Sequence, residues 1–157
     1  AIAVQMGLNE HMQEGLGLMG LVHDIGKIGI PVDLLNKPSE LHESEYELVK
    51  RHAQMGYDIL APLRFKWPVA EAILQHHERL NGTGYPNALR GDDIRLEGKI
   101  LAVADVLESM ASRRPYRAAL GESSACDELI SGAGTLYDPD VVHACVSLCR
   151  ERGYTVH

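Results

Sequence analysis

The sequence predicts an all-α fold built around one core. Three observations predict it. Apolar residues recur at helical spacing, most clearly Ile100, Ala104, Leu107 and Ala111 on one stripe. Glycine and proline punctuate the chain at intervals that suit helices joined by short loops. No stretch of useful length alternates apolar and polar residues as a half-buried strand would, and no internal repeat or low-complexity linker interrupts the pattern. The 157 residues suit one domain with a sizeable core.

The elements follow in order. Asn9 is placed to cap a helix through "EHMQEGLGLMGLVHD", which Gly26 should break. Pro31 starts a short helical turn and Pro38 ends that segment. "HESEYELVKRHAQMGYDILAP" reads as one long helix, with acids in its first turn, Leu48, Met55 and Leu60 among its apolar positions, and a stop before Pro62. Pro68 opens "PVAEAILQHH", and a long loop follows over roughly residues 79–93. "LEGKILAVADVLESMAS" is the most apolar helix, and the loop "RRPYR" leaves it. A helix over about residues 121–132 precedes "DPDVVHACVSLCRER", in which Asp138 caps, Pro139 takes the first helical position and Gly153 comes just after the end.

Composition excludes several classes. A net charge of −7 argues against a general nucleic-acid binder, whose affinity would come from excess lysine and arginine. No apolar run is long enough to span a membrane, and no targeting segment is visible, so a cytoplasmic protein is expected. Cys126, Cys145 and Cys149 are an odd set without a second pair, and read as reduced core residues.

The chemistry is signalled by polar groups that interrupt apolar helices. His23-Asp24 follow "LMGLV", His76-His77 follow "VAEAIL", and Asp105 sits inside "ILAVADVL". A buried carboxylate must be paired, hydrogen-bonded or metal-bound. All these residues lie near helix ends, where they could converge, and His52 is a further candidate. A mixture of imidazoles and carboxylates without thiolates suits iron, manganese, cobalt, nickel or zinc. Asp24 could bridge two such ions, an arrangement suited to phosphoryl transfer. Lys27 follows Asp24 by three residues, and Arg113, Arg114 and Arg117 cluster where an anion held by the metals would extend.

At these residues the sequence resembles the HD-GYP family of bacterial cyclic di-GMP phosphodiesterases, a branch of the HD metal-dependent phosphohydrolases. The matching pieces are "HDIGKIGIP", "HAQMGYDIL", "HHERLNGTGYP", "VADVLESMASRRPYR" and "YDPDVV", in the family's order and spacing, over about residues 8 to 148. The resemblance implies a single-domain helical bundle of the HD type over residues 1–157, with a long GYP loop beside the metal site. It implies metal ligation by His23, Asp24, His52, His76, His77 and Asp105, catalytic roles for Asp24 and Lys27, and substrate contacts from Lys27, Gly84, Tyr85, Pro86, Arg114 and Arg117. Gly82 and Gly84 should let the loop turn and approach closely, and Glu78 is expected to orient a histidine.

The implied cofactors are two divalent ions, iron or manganese first, with nickel, cobalt or zinc as alternatives. The implied reaction is hydrolysis of cyclic di-GMP to pGpG, and further to GMP, with the metals activating water. The rival reading is a catalytically weak module that binds cyclic di-GMP or docks diguanylate cyclase domains; another cyclic dinucleotide, such as a cyclic GMP-AMP, is a third. A regulatory or sensor domain is expected on the N-terminal side. Two departures from the family pattern stand out. Its further upstream histidine would precede Ala1, so the chain reads as missing its N-terminal helix, with weaker metal binding, partial metal occupancy and low or absent hydrolysis expected; His11 lies too close to His23 to replace it. Glu108 stands where the family more often has aspartate.

Overall fold

A computed structural model describes residues 1–112 and 121–151. Among these the secondary structure is helical, without strands. The helices are α1 (Ile2–Gln5), α2 (Glu10–Val22), α3 (Val32–Leu35), α4 (Glu43–Lys50), α5 (His52–Leu60), α6 (Val69–Gln75), α7 (Leu96–Ala111), α8 (Glu122–Gly132) and α9 (Pro139–Glu151). Short 3₁₀ turns occupy Ile25–Gly29 and Gly91–Asp93.

Local chemistry explains most boundaries. The Asn9 side chain accepts a hydrogen bond from the Met12 amide at 2.9 Å, which satisfies one orphan donor at the start of α2. Asp138 does the same for α9, accepting from the amides of Asp140 and Val141 at 3.0 and 3.3 Å. The expected end of that helix at Gly153 lies outside the described residues, as do Arg113, Arg114 and Arg117.

Two expectations need correction. First, α2 stops at Val22, and Asp24 leads into the 3₁₀ turn rather than lying in the helix. Second, the long helix expected over residues 42–61 is two helices, α4 and α5, divided at Arg51. Arg51 keeps helical angles (φ −62°, ψ −17°), but its amide donates to Leu48 three residues back, at 3.2 Å, so the ladder tightens for one step. The Val49 carbonyl at this break accepts from the His52 ring at 2.7 Å.

The core is one cluster shared by seven of these helices. Met19 of α2, Val69 and Ile73 of α6, Val103 of α7, Leu129 of α8 and Val141 and Cys145 of α9 are almost fully buried. Each such aliphatic side chain contributes roughly 1.5–3 kcal/mol on burial. Trp67 fastens α2 to the start of α6: its indole N–H donates to the His11 carbonyl at 2.7 Å, and Gly15 leaves room for its ring. The Ile25–Gly29 turn lies directly against α5. A Cβ on Gly26 would stand 1.9 Å from the His52 carbonyl oxygen, so this position needs glycine for close approach. That contact brings the segment carrying His23 and Asp24 alongside the helix that begins with His52.

Candidate metal centre

The site is assembled from helix ends. His23 and Asp24 follow the last turn of α2, His52 opens α5, His76 and His77 follow α6, and Asp105 lies inside α7. Packing of α5 on the 3₁₀ turn and on α6, and of α6 on α7, brings these ends to one place.

Three of the four histidines share a device. His23 donates its Nδ1–H to the Gly20 carbonyl at 2.8 Å, His52 to Val49 at 2.7 Å, and His76 to Ile73 at 2.5 Å. Each acceptor lies three residues back, where a ring at a helix start or end can reach it. Because a carbonyl can only accept, Nδ1 carries a proton, and wherever the ring is neutral it presents a lone pair at Nε2.

The Nε2 atoms of His52, His76 and His77 converge. His52 Nε2 lies 3.4 Å from His76 Nε2 and 3.1 Å from His77 Nε2. Ligand atoms of the three residues all fall within 4.8 Å of one another. Burial works against charging these rings. It pushes His52 below the ordinary histidine range, His76 down to about 4 and His77 down to about 2, the latter two also disfavoured by neighbouring imidazoles.

The carboxylates complete a second pole. His23 Nε2 stands 3.5 Å from Asp24 Oδ2 and 3.7 Å from Asp105 Oδ1. The hydrogen bond to Asp105 raises the His23 pKa to about 9, so without a metal this imidazole carries a proton where a cation would otherwise sit. Burial pushes Asp105 up, but the His23 hydrogen bond and the neighbouring imidazoles hold it well below the ordinary carboxylate range. Asp24 spans both poles, with Oδ2 toward His23 and Oδ1 3.8 Å from His52 Nε2. Lys27 places its ammonium 2.6 Å from Asp24 Oδ2.

This donor set fits divalent metal. Four imidazoles and two carboxylates, without a thiol, suit iron, manganese, cobalt, nickel or zinc. The preset tautomers of His52 and His76 leave their Nε2 lone pairs facing a common space.

The loop after His77 folds back over this centre. Gly82 has φ +80°, a conformation that favours glycine, while Gly84 is needed for close approach: a Cβ there would meet the His77 carbonyl oxygen, Glu78 Cα and the Arg79 amide nitrogen at 2.5 Å. The Tyr85 ring stacks on His77, centroids 4.8 Å apart and planes 18° apart, while Pro86 is exposed. Glu78 overturns an expectation. It is buried, yet its carboxylate accepts from the backbone amides of Asn87 and Leu89, at 2.7 and 2.9 Å, and orients no histidine. Those partners lie nine and eleven residues on and leave no side-chain signature in the sequence. Lys50 was missed as well. Its ammonium lies 5.3 Å from the Tyr46 ring centroid and 5.5 Å from that of Tyr85, and it is ion-paired with Glu47. Of the other histidines, His11 packs on Trp67, and His42 and His143 are exposed.

The buried imidazoles make the metal-free protein acid-sensitive. An unfolded histidine takes up its proton near pH 6.5, whereas folded His76 and His77 resist doing so until about pH 4 and 2. Stability therefore falls as pH drops below 6.5. By pH 5.5 each of these two should have cost about 1.4 kcal/mol. His23 has the opposite sign: its contribution is complete below pH 6.5 and is lost as pH rises from there through about 9, so between pH 7.5 and 5.5 it returns about 1.3 kcal/mol and offsets roughly half of the loss. Thermal unfolding of chelated protein is therefore expected at a midpoint lower by about 3–5 °C at pH 5.5 than at pH 7.5. An equal or higher midpoint at pH 5.5 would contradict this account.

Comparison with known proteins agrees with the geometry. The family described as "HD domain" matches residues 1–141. A cyclic di-GMP phosphodiesterase of Thermotoga maritima is 42% identical over 154 residues, covering 96% of this chain and 41% of that protein. A 3′3′-cGAMP-specific phosphodiesterase of Vibrio cholerae is 44% identical over 119 residues, covering 76% of this chain and 28% of that protein. The chain thus spans well under half the length of these relatives. Among solved structures, an HDGYP protein of Bdellovibrio bacteriovorus superposes with a TM-score of 0.77 at 21% identity, covering 96% of this chain and 48% of that one, which shows a shared fold. No helix among the described residues is long and apolar enough to cross a membrane.

Proposed function

The chain belongs to the HD domain family, in its HD-GYP branch, and on that premise we propose that it is a metal-dependent phosphodiesterase that hydrolyses a cyclic dinucleotide, cyclic di-GMP first, to a linear product. The observation that carries this reading is the convergence of the Nε2 atoms of His52, His76 and His77, from uncharged rings, beside the Asp24 carboxylate.

His23, Asp24, His52, His76, His77 and Asp105 would hold two divalent ions, iron or manganese first. Ions held there supply a lowered water pKa and neutralise charge developing on phosphoryl oxygens. The protein's own groups do the rest. The Nδ1 hydrogen bonds to Gly20, Val49 and Ile73 fix three rings in the tautomer that leaves Nε2 free. Lys27 brings a positive charge to the Asp24 edge, where it can hold a phosphate oxygen. Gly84, Tyr85 and Pro86 form the rim on the His77 side. Arg114 and Arg117 are proposed to grip the distal phosphate or a base.

The relatives' names divide between cyclic di-GMP and 3′3′-cGAMP, and this divides the test. Protein loaded with manganese or ferrous iron is offered each dinucleotide, and products are separated by chromatography. We expect linear pGpG from cyclic di-GMP, no product after chelation, and slower cleavage of the mixed dinucleotide. Faster cleavage of cGAMP would move the substrate and keep the chemistry. Metal uptake without cleavage of either would make the chain a binding module.

A further inference from the structure

We infer that Tyr85 is a positioning residue that holds the His77 imidazole in its ligand orientation, an assignment that rests on reading the site as a metal centre. His77 differs from its three partners. His23, His52 and His76 are each locked by an Nδ1–H bond to a backbone carbonyl. His77 has no such anchor among the described residues, and its polar ring contact is Nε2 against His52 Nε2. A ring without an anchor can turn about χ2 and swing Nε2 away from the common space.

The Tyr85 ring, lying nearly parallel to His77 at 4.8 Å, covers one face of it against that rotation, with the His76 ring at 4.1 Å and the His52 ring at 4.9 Å as its other ring neighbours. The contact is built rather than incidental. The Tyr85 amide donates to the His77 carbonyl at 3.3 Å. Gly84 lets the backbone settle directly against residues 77–79. Glu78 ties down the chain beyond Pro86 through the Asn87 and Leu89 amides. Lys50, whose ammonium is near both the Tyr85 and Tyr46 rings, supports the tyrosine from α4. The stack needs an aromatic face, not a hydroxyl, so phenylalanine should serve.

Divalent cobalt is the probe, because its visible absorption reports ligand geometry without turnover. Wild type, Tyr85→Phe and Tyr85→Leu are titrated with cobalt, and kcat and KM are measured separately. The Phe variant should match wild-type affinity within about twofold and keep the spectrum. The Leu variant should bind about 10–100-fold more weakly, the range for loss of a group that orients a ligand, with an altered spectrum and a lower kcat. A Leu variant with wild-type affinity and spectrum, and only a raised KM, overturns the inference and makes Tyr85 a substrate contact. A Phe variant as impaired as the Leu variant overturns it too, because the hydroxyl would then be the active part. Wild-type protein that takes up no cobalt overturns the metal-centre reading and this inference with it, an outcome distinct from both.

Discussion

Asp24→Asn is expected to reduce kcat/KM by at least about 10³-fold and to leave the protein folded with little bound metal. The substitution is nearly isosteric, so the effect isolates charge and lone pairs. Asp24 lies between the two poles of the site, one oxygen toward His23 and Lys27 and the other toward His52. An amide carries no net charge, and its NH₂ cannot accept, so one pole loses its shared donor outright. Loss of a group that merely orients a ligand costs about 10–100-fold, and a donor that spans both poles should cost that at each. Lys27 also loses its partner at 2.6 Å and no longer stands where a phosphate oxygen would arrive. The fold should survive, because Asp24 is partly exposed and the turn after it is held by backbone bonds, from Lys27 to Asp24 and from Ile30 to Lys27. Metal analysis, circular dichroism and turnover, measured together, test the expectation. A folded variant with wild-type metal content and rate would remove Asp24 from the centre.

Much of this architecture was legible in the sequence because it is written in local chemistry. Asn9 and Asp138 announce helix starts by the bonds their side chains make three and two residues on. The α7 stripe announces its buried face at Ile100 and Leu107, although Ala104 and Ala111 are only half-buried and Leu101, Ala102 and Val103 are buried beside it. The site residues stood out because a histidine or aspartate inside an apolar run demands a partner. What the sequence hid depends on contacts between distant segments. Arg51 keeps helical angles at a break that no glycine or proline marks. Gly26 reads as a helix breaker, yet its small size is required by the His52 carbonyl, 26 residues away. Lys50 reads as one more solvated helix charge, and only the folded loop brings Tyr85 to it.

Glu78 shows the same limit most sharply, and its removal is the second large effect expected. Beside two histidines, a glutamate suggests a partner for an imidazole. In the fold it turns away and accepts two backbone amides from the loop beyond Pro86. It is only 2% exposed, so neither bond is shared appreciably with water. A hydrogen bond to a charged group contributes about 1.5–3 kcal/mol. In Glu78→Ala both amides lose their acceptor and a buried space opens. Asn87 and Ala88 are exposed, however, so the loop can rearrange and recover some solvation. A net loss of about 2–4 kcal/mol in stability is therefore expected. Glu78→Gln should fall between, because its single carbonyl oxygen can satisfy one amide well while its NH₂ group opposes the other. Denaturant unfolding gives the global cost, and hydrogen exchange at Asn87 and Leu89 gives the local one. The consequence should reach the centre: with the loop released, Tyr85 loses its seat on His77, and metal affinity should fall alongside stability. A Glu78→Ala protein whose Asn87 and Leu89 amides stay protected would mean that the loop is held by something else. Protection lost while metal affinity stays unchanged would show that the loop covers the centre without shaping it.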